Sequence, residues 1–121
     1  MCGFAGFYAG EWGSRSTSIC KNMIQRLHHR GPDDSGIWVS NDADVTLGHV
    51  RLSIQDLSSA GHQPMHSRCG RYVIVFNGEI YNHKDIRKEL SSINYSIKWN
   101  GHSDTETLVS AISVWGVEES I

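Results

Sequence analysis

The sequence lacks the features of a secreted, membrane-bound or nucleic-acid-binding protein. No apolar run among its 121 residues approaches the length of a membrane span or of a signal-peptide core. The formal net charge is −2 and no run of basic residues occurs, so the electrostatic surface that nucleic acid requires is missing. We therefore expect a cytoplasmic chain with no nucleic-acid partner and no membrane partner.

Cysteine is scarce as well. Three residues, Cys2, Cys20 and Cys69, are odd in number and widely spaced, which excludes a disulfide framework. No CxxC pair supplies zinc-ligand spacing. The adjacent His28 and His29 would point to different faces of a helix and have no further ligand at a suitable spacing. We expect no metal site and no cofactor held by this chain.

What is present is typical of a globular domain. Apolar residues make up 39% and charged residues 20%, and the length allows at most one domain with a workable core, covering residues 1–121. Strands are predicted at 3–9, 37–39, 45–52, 71–76 and 95–99. The run at 71–76 (RYVIVF) is nearly continuously apolar, which places it deep in a sheet.

Helices and turns are predicted between these strands. Helices should follow caps at Ser16 or Thr17, at Asn82 and at Ser103, and the glycines at 31 and 116 should end the first and the last. Turns or loops are predicted at 10–14, 33–36 and 55–70, and Asn77-Gly78 predicts a hairpin with 79–81 as its return strand. The order of elements predicts an α+β fold.

Cys2 is one methionine removal away from the N-terminus. It would then carry a thiol and a free amine on one residue, and an α-amino group with a pKa of about 8 is partly unprotonated near neutral pH. That is the N-terminal form of a nucleophile–base pair. The alternative is a structural cysteine near a chain end.

Three further positions match the parts of an amino-acid substrate. Arg51, at a strand end, suits a bidentate bond to a carboxylate; Asn77 and Gly78 offer a side-chain and a backbone donor for an oxyanion. Asp104, in the first turn of a helix, suits an ammonium group. Each also has a plain structural explanation: an exposed Arg, a hairpin turn and a helix cap. Glutamine presents all three groups together.

Six runs of residues carry a resemblance to a known family. They are MCGFAGF at 1–7, LHHRGPDDSG at 27–36, LGHVRLSIQDL at 47–57, GHQPM at 61–65, FNGEIYNH at 76–83 and SDTETL at 103–108. In this order they resemble the class II glutamine amidotransferase domain, and most closely that of glutamine-hydrolysing asparagine synthetase. The resemblance implies the N-terminal-nucleophile hydrolase sandwich, with antiparallel sheets covered by helices.

The resemblance also implies residue roles. Cys2 resembles the nucleophile that forms a thioester with glutamine, and Asn77 and Gly78 resemble the oxyanion hole. Arg51 resembles the residue that holds the α-carboxylate, and Asp104 the partner of the α-amino group. The glutamine site would further include the neighbouring residues Leu52, Ser53, Ile54, Gln55 and Glu79.

The family's domain is longer than 121 residues, so we expect the N-terminal portion of a type-2 glutamine amidotransferase domain, with the synthetase domain absent. ATP and magnesium belong to that synthetase domain, which in asparagine biosynthesis would use the ammonia on aspartate or a related acceptor. The partners implied are glutamine and the synthetase domain, and a homodimer is left open. The alternative function is a non-catalytic amidotransferase-like module that acts through binding only.

Overall fold

The computed structural model describes residues 1–8, 15–40, 44–54, 56–93 and 97–121. The predicted turn at 10–14 and part of the strand predicted at 95–99 lie outside the described residues. Two compact units are present: the first takes its residues from Met1–Ile54, His62–Pro64 and Val75–Asn77, and the second from Gln55–Gly61, Met65–Ile74 and Gly78–Ile121. None of the described helices is long and apolar enough to cross a membrane.

The first unit contains a three-stranded antiparallel sheet. Its strands are β1 (Gly3–Tyr8), β2 (Asp34–Val39) and β3 (Val45–Arg51), in the order β1-β3-β2. Gly3 pairs with Val50, and Asp34 pairs with Arg51. The end of β3 therefore lies beside the beginning of both neighbouring strands. The strands predicted at 3–9 and 45–52 are confirmed over the described residues.

The loop predicted at 33–36 is wrong for most of its length. Asp34, Ser35 and Gly36 belong to β2, because their backbone pairs with Arg51, Val50 and His49 of β3. β2 is an edge strand, where polar side chains are tolerated. The prediction followed side-chain polarity, whereas backbone hydrogen bonds define the strand.

The helix α1 (Ser16–Arg26) covers one face of this sheet. It buries Cys20 and Ile24 against Val50, and partly buried apolar residues surround them: Ala5, Phe7, Leu27 and Ile37. Gly48 allows the close approach, since a Cβ atom there would lie 2.6 Å from both Cys20 Sγ and Ile24 Cγ2. The core of the unit therefore depends on a residue without a side chain at the centre of β3.

The cap predicted for α1 is wrong, and the α-helix ends at Arg26 rather than at the predicted Gly31, although the helix itself is confirmed. Ser16 is already helical, and Arg15 occupies the cap position without a side-chain hydrogen bond. Ser18 Oγ instead donates to the Arg15 carbonyl at 2.8 Å. Short polar side chains form such local bonds in competition with capping. The chain leaves α1 through a short 3-10 turn, His28–Arg30, before Gly31 and Pro32.

Two helices and a two-stranded antiparallel ribbon form the second unit. The helices are α2 (His83–Ile93) and α3 (Asp104–Trp115), which pack on each other, and the strands are β4 (Met65–His66) and β5 (Val73–Ile74). Both helices were predicted and are confirmed. Leu90 is the buried residue of α2, and the Asn82 carbonyl accepts from the third and fourth amides of α2, those of Asp85 and Ile86.

The predicted ends of α3 are also confirmed. Ser103 Oγ accepts from the Glu106 amide at 3.1 Å, which is the first half of a capping box. Gly116 ends the helix with φ 92°, a left-handed conformation that suits glycine. Its amide still donates to the Ile112 carbonyl.

Several strand predictions in this half of the chain are wrong. Only Val73 and Ile74 of the run 71–76 form a strand, since only Met65 and His66 pair with them, and no residue from 72 to 76 is fully buried. The segments 79–81 and 97–99 are not strands, and 55–70, predicted as one loop, includes a 3-10 turn at Ser59–Gly61 and β4. Apolar sequence alone predicted strands where the described residues offer no backbone partner.

The contact at Gly48 gives a stability prediction. Gly48→Ala should lower the free energy of unfolding by about 1–3 kcal/mol, because the added methyl group collides with Cys20 and Ile24. Cys20→Ala should recover part of this loss in the double variant, so that the two substitutions are non-additive by about 0.5 kcal/mol or more. Urea denaturation of the four proteins measures the coupling, and strictly additive values would contradict the proposed contact.

Candidate active site

Cys2 lies beside the end of β3. It precedes the β1 residue that pairs with Val50, so the antiparallel register brings it to the Arg51–Ser53 segment. Its sulfur accepts from the Leu52 amide at 3.4 Å and is 3.7 Å from the Leu52 carbonyl, to which the thiol can donate. Met1 is 74% exposed, so it is accessible to removal. The half-buried Cys2 thiol is thus held against Leu52, the residue that directly follows Arg51.

Arg30 holds the backbone of the same cysteine. Its Nε donates to the Cys2 carbonyl at 3.0 Å, and the side-chain stem lies against Gly3. The guanidinium therefore orients the peptide of Cys2 without touching the sulfur. Arg30 lies here because the chain forms a 3-10 turn, His28–Arg30, after the end of α1.

The Gly31–Asp33 segment is tied to the end of β3. The Asp33 amide donates to the Arg51 carbonyl at 3.0 Å, and the Asp33 carboxylate accepts from the Ser53 amide at 2.8 Å. A Cβ atom on Gly31 would lie 2.6 Å from the backbone of Val50 and Arg51, so only glycine fits there without a shift. The segment fixes the backbone that follows Arg51.

The residues predicted to bind the substrate carboxylate become more exposed from Arg51 to Ile54. Arg51 is 8% exposed, Leu52 and Ser53 are half-buried, and Ile54 is 71% exposed. Gln55 lies outside the described residues. Of the residues predicted for the site, the structure brings Cys2, Arg51, Leu52 and Ser53 together.

Asn77 is exposed at the end of a segment held by Gln63. The buried Gln63 side chain accepts from the Phe76 amide at 2.6 Å, one residue before Asn77. The predicted hairpin at Asn77-Gly78 is wrong. Neither residue has a positive φ angle, and no return strand follows. The oxyanion role of the exposed Asn77 amide group stays a prediction.

His49 is a buried residue on the same strand as Arg51. Its exposure is 0%, and neither ring nitrogen has a hydrogen-bond partner among the described residues. Burial lowers the pKa of His49. The backbone of Phe76, whose carbonyl would be the acceptor of a hydrogen bond from the ring, and the carboxylate of Asp34 both raise it and so oppose the effect of burial. The ring is therefore neutral at neutral pH. An unsatisfied buried polar group costs about 1–3 kcal/mol, so this histidine needs an explanation.

In the second unit, Asp104 contacts the segment that follows Gly78 and Glu79. Asp104 is 7% exposed, and its Oδ2 accepts from the Ile80 amide at 2.9 Å. The cap of α3 is Ser103, so capping does not account for Asp104. Gly78 and Glu79 are both exposed.

Arg87 orders the chain just before Asp104. Its guanidinium donates to the carbonyls of Gly101 and Ser103 at 2.8 Å each and lies 4.2 Å from the centre of the Trp99 ring. A salt bridge of 3.2 Å joins it to Glu106, whose carboxylate accepts from the amides at 100 and 101. These bonds fix the approach to α3.

Sequence reasoning missed the supporting residues. They are Arg30 and Asp33, which bond to the backbone of the predicted site residues Cys2 and Ser53, and Gln63 and Arg87, which bond to the backbone of residues next to Asn77 and Asp104. The first three lie in runs that carried the family resemblance, which was the available signal. Arg87 lies outside those runs, and no local pattern marks its distant partners.

The chain is similar to known amidotransferases over its whole length. The model of a glutamine amidotransferase domain family matches residues 1–121. An amidase, chry2, of Gibberella zeae is 36% identical over 97% of this chain, which covers 18% of that protein. Asparagine synthetase [glutamine-hydrolyzing] 1 of Bacillus subtilis is 39% identical over 90% of the chain, and 17% of that protein is covered.

A putative asparagine synthetase [glutamine-hydrolyzing] of Mycobacterium bovis is 36% identical over 98% of the chain. The chain covers 20% of that protein. It thus spans about a fifth of the length of these curated relatives.

The Cys69 thiol should be more reactive toward alkylation than the Cys20 thiol. Hydrogen bonds of the Cys69 sulfur with Ser67, Arg71 and Ser113 lower the pKa of Cys69 to about 6, whereas burial raises the pKa of Cys20. Iodoacetamide labelling of Cys69 should therefore rise with pH through a midpoint near 6. Peptide mass spectrometry across pH 5–9 measures this midpoint. Ser67→Ala should move the midpoint upward, and an unchanged midpoint would contradict the assigned cause.

Proposed function

Because the chain belongs to the glutamine amidotransferase domain family, and is of the asparagine synthetase type, we propose that Cys2 is its nucleophile. The reaction is hydrolysis of glutamine to glutamate and ammonia through a cysteine thioester. One observation carries the proposal: the Cys2 sulfur lies 3.4 Å from the amide that directly follows the buried Arg51. The N-terminal-nucleophile hydrolase sandwich is the fold that we propose for the complete domain.

The chemistry begins with the removal of Met1. The freed α-amine of Cys2 takes the proton of its own thiol, directly or through a water molecule. The thiolate attacks the side-chain carbonyl carbon of glutamine, and the protonated amine returns a proton to the departing nitrogen, which leaves as ammonia. Water then adds to the γ-glutamyl thioester, the carbon–sulfur bond breaks, and glutamate and the thiol are released.

The oxyanion of each tetrahedral intermediate needs donors. We assign these to the Asn77 side chain and the Gly78 amide, the pair of groups suited to that task. The Gln63 bond to the Phe76 amide at 2.6 Å supports this assignment, because it limits the movement of the residue before Asn77.

The α-carboxylate of glutamine is assigned to Arg51 and the backbone of 52–55. A guanidinium binds a carboxylate through two parallel hydrogen bonds, and low exposure strengthens such bonds. Asp104 is assigned to the α-ammonium group, with Glu79 beside the substrate. The burial of Asp104, together with the cap at Ser103, supports a role beyond helix capping.

The ammonia requires an acceptor. We propose that the whole protein includes a synthetase domain that amidates aspartate or a related acid with ATP and magnesium. Two relatives named as glutamine-hydrolysing asparagine synthetases support this, since the chain spans only about a fifth of each. None of the residues described above is assigned to ATP or magnesium.

Loss of the Cys2 thiol should abolish glutamine hydrolysis. In full-length protein, intact mass should first show that Met1 is gone, and Cys2→Ala should then release glutamate at least about a thousandfold more slowly than wild type. Cys69→Ala is the matched control and should retain activity. Activity that survives in Cys2→Ala would exclude this nucleophile. A processed wild type without glutaminase activity, even with acceptor substrates present, would favour a binding module.

Arg51 should control glutamine affinity more than chemistry. Arg51→Ala should raise KM for glutamine by on the order of tenfold to a hundredfold, because a charged, paired hydrogen bond to the substrate is lost. Arg51→Lys should restore little of it, since an ammonium group cannot form the two parallel bonds.

Steady-state kinetics of glutamate release measures the effect, with Arg26→Ala, an exposed arginine of α1, as the control. The rate of thioester hydrolysis, followed after acylation, should change far less than KM. An unchanged glutamine dependence in Arg51→Ala would remove Arg51 from the carboxylate site.

A further inference from the structure

His49 is placed on the functional face of β3. The alternate residues Gly48 and Val50 contact α1 on the opposite face. Side chains alternate along a strand, so His49 and Arg51 share the face that α1 leaves uncovered. His49 pairs with Phe4 of β1, two residues after Cys2. It therefore occupies the next same-face position inward from the nucleophile and from Arg51.

The His49 side chain is fully buried, which is unusual for a polar group without hydrogen bonds. A neutral imidazole has one N–H donor and one lone pair. Neither ring nitrogen makes a hydrogen bond of acceptable geometry to a described residue, although the ring is fully buried and the Phe76 backbone lies near enough to raise its pKa. An apolar residue of similar size would fill the same space without the loss. A bond that forms at a later stage of the reaction is a physical reason for a histidine here.

The groups around the ring identify the partner. Asp34 on β2, Arg51 on β3 and His62 in the 62–64 segment are the charged or titratable groups that act on it, and Asp34 is already bonded to His62 Nδ1 at 2.7 Å. The remaining neighbour is the backbone of Phe76. The Phe76 amide is bonded to Gln63, which leaves its carbonyl as the acceptor for an imidazole N–H.

We propose that His49 is a positioning residue of the glutaminase site: its imidazole N–H donates to the Phe76 carbonyl when glutamine binds and fixes the peptide that carries Asn77. This inference rests on the proposed function, because Asn77 is the oxyanion donor there. Gln63 holds the amide side of Phe76 and His49 the carbonyl side, so the two bonds together set the direction of the Asn77 side chain.

The kinetic test uses full-length protein with His49→Leu and His49→Gln. His49→Leu removes the donor but keeps an apolar group of similar size, so it should fold. Its kcat should fall by about tenfold or more, with KM for glutamine within about threefold of wild type, since a misdirected oxyanion donor weakens the transition state more than binding. His49→Gln keeps an N–H donor and should recover part of kcat.

His28→Leu is the matched control. It removes an exposed histidine just after α1, on the other side of the sheet, and should leave both constants unchanged. A kcat for His49→Leu within twofold of wild type, or a change confined to KM, would overturn the positioning role. A wild type without glutaminase activity would instead overturn the proposed function itself.

A second measurement does not depend on turnover. In Cys2→Ala protein with ¹⁵N-labelled histidine, added glutamine binds without reacting. The His49 ring should remain neutral at pH 7, with one N–H that becomes protected from solvent exchange and gives a nuclear Overhauser contact to the Asn77 amide proton. A protonated ring, or an N–H that glutamine leaves unchanged, would overturn the inference.

Discussion

The antiparallel pairing of β1 with β3 is the constraint on which the candidate site depends. Gly3 opposite Val50 fixes where Cys2 lies, and no local feature of the first residues could do so. A slip of one residue would turn Cys2 to the face covered by α1. Packing on that face favours the observed register, because only Gly48 lets Cys20 and Ile24 approach this part of the sheet without a steric clash. The helix core and the position of Cys2 are thus set by the same strand.

The second unit is held together more by side-chain bonds to the backbone than by strand pairing. Its ribbon has only two residues in each strand, so backbone pairing contributes little. Arg87 and Glu106 compensate, with side chains 13% and 9% exposed that bond to backbone groups on both sides of residue 101. A buried ion pair alone is weak evidence of stability. Here its remaining donors and acceptors are bonded to backbone, and the consequence is a fixed approach to Asp104.

The parts of the fold that sequence could predict are those with local causes. Ser103, Gly116 and the apolar spacing of α3 lie within one helix, and the helix forms as they indicate. The run 71–76 and the Asn77-Gly78 pair were misjudged, because a strand requires a backbone partner that composition does not specify. Cys2 and Arg51 were proposed from their chemistry, and Ser53 from the family resemblance. Their mutual contacts, and the roles of Arg30 and Asp33, depend on a register that is not local.

The cysteine whose pKa is lowered is not the one that we propose as the nucleophile. Cys69 has the lowered pKa, yet it is an exposed residue of the turn between β4 and β5, bonded to Ser67 and Ser113. Cys20 is equally unsuited, because its side chain is fully buried between α1 and the sheet. Cys2 has Arg30 on its carbonyl and Leu52 on its sulfur. A thiolate is useful for acyl transfer only where a substrate carbonyl can be bound beside it, and neighbouring residues decide that more than acidity does.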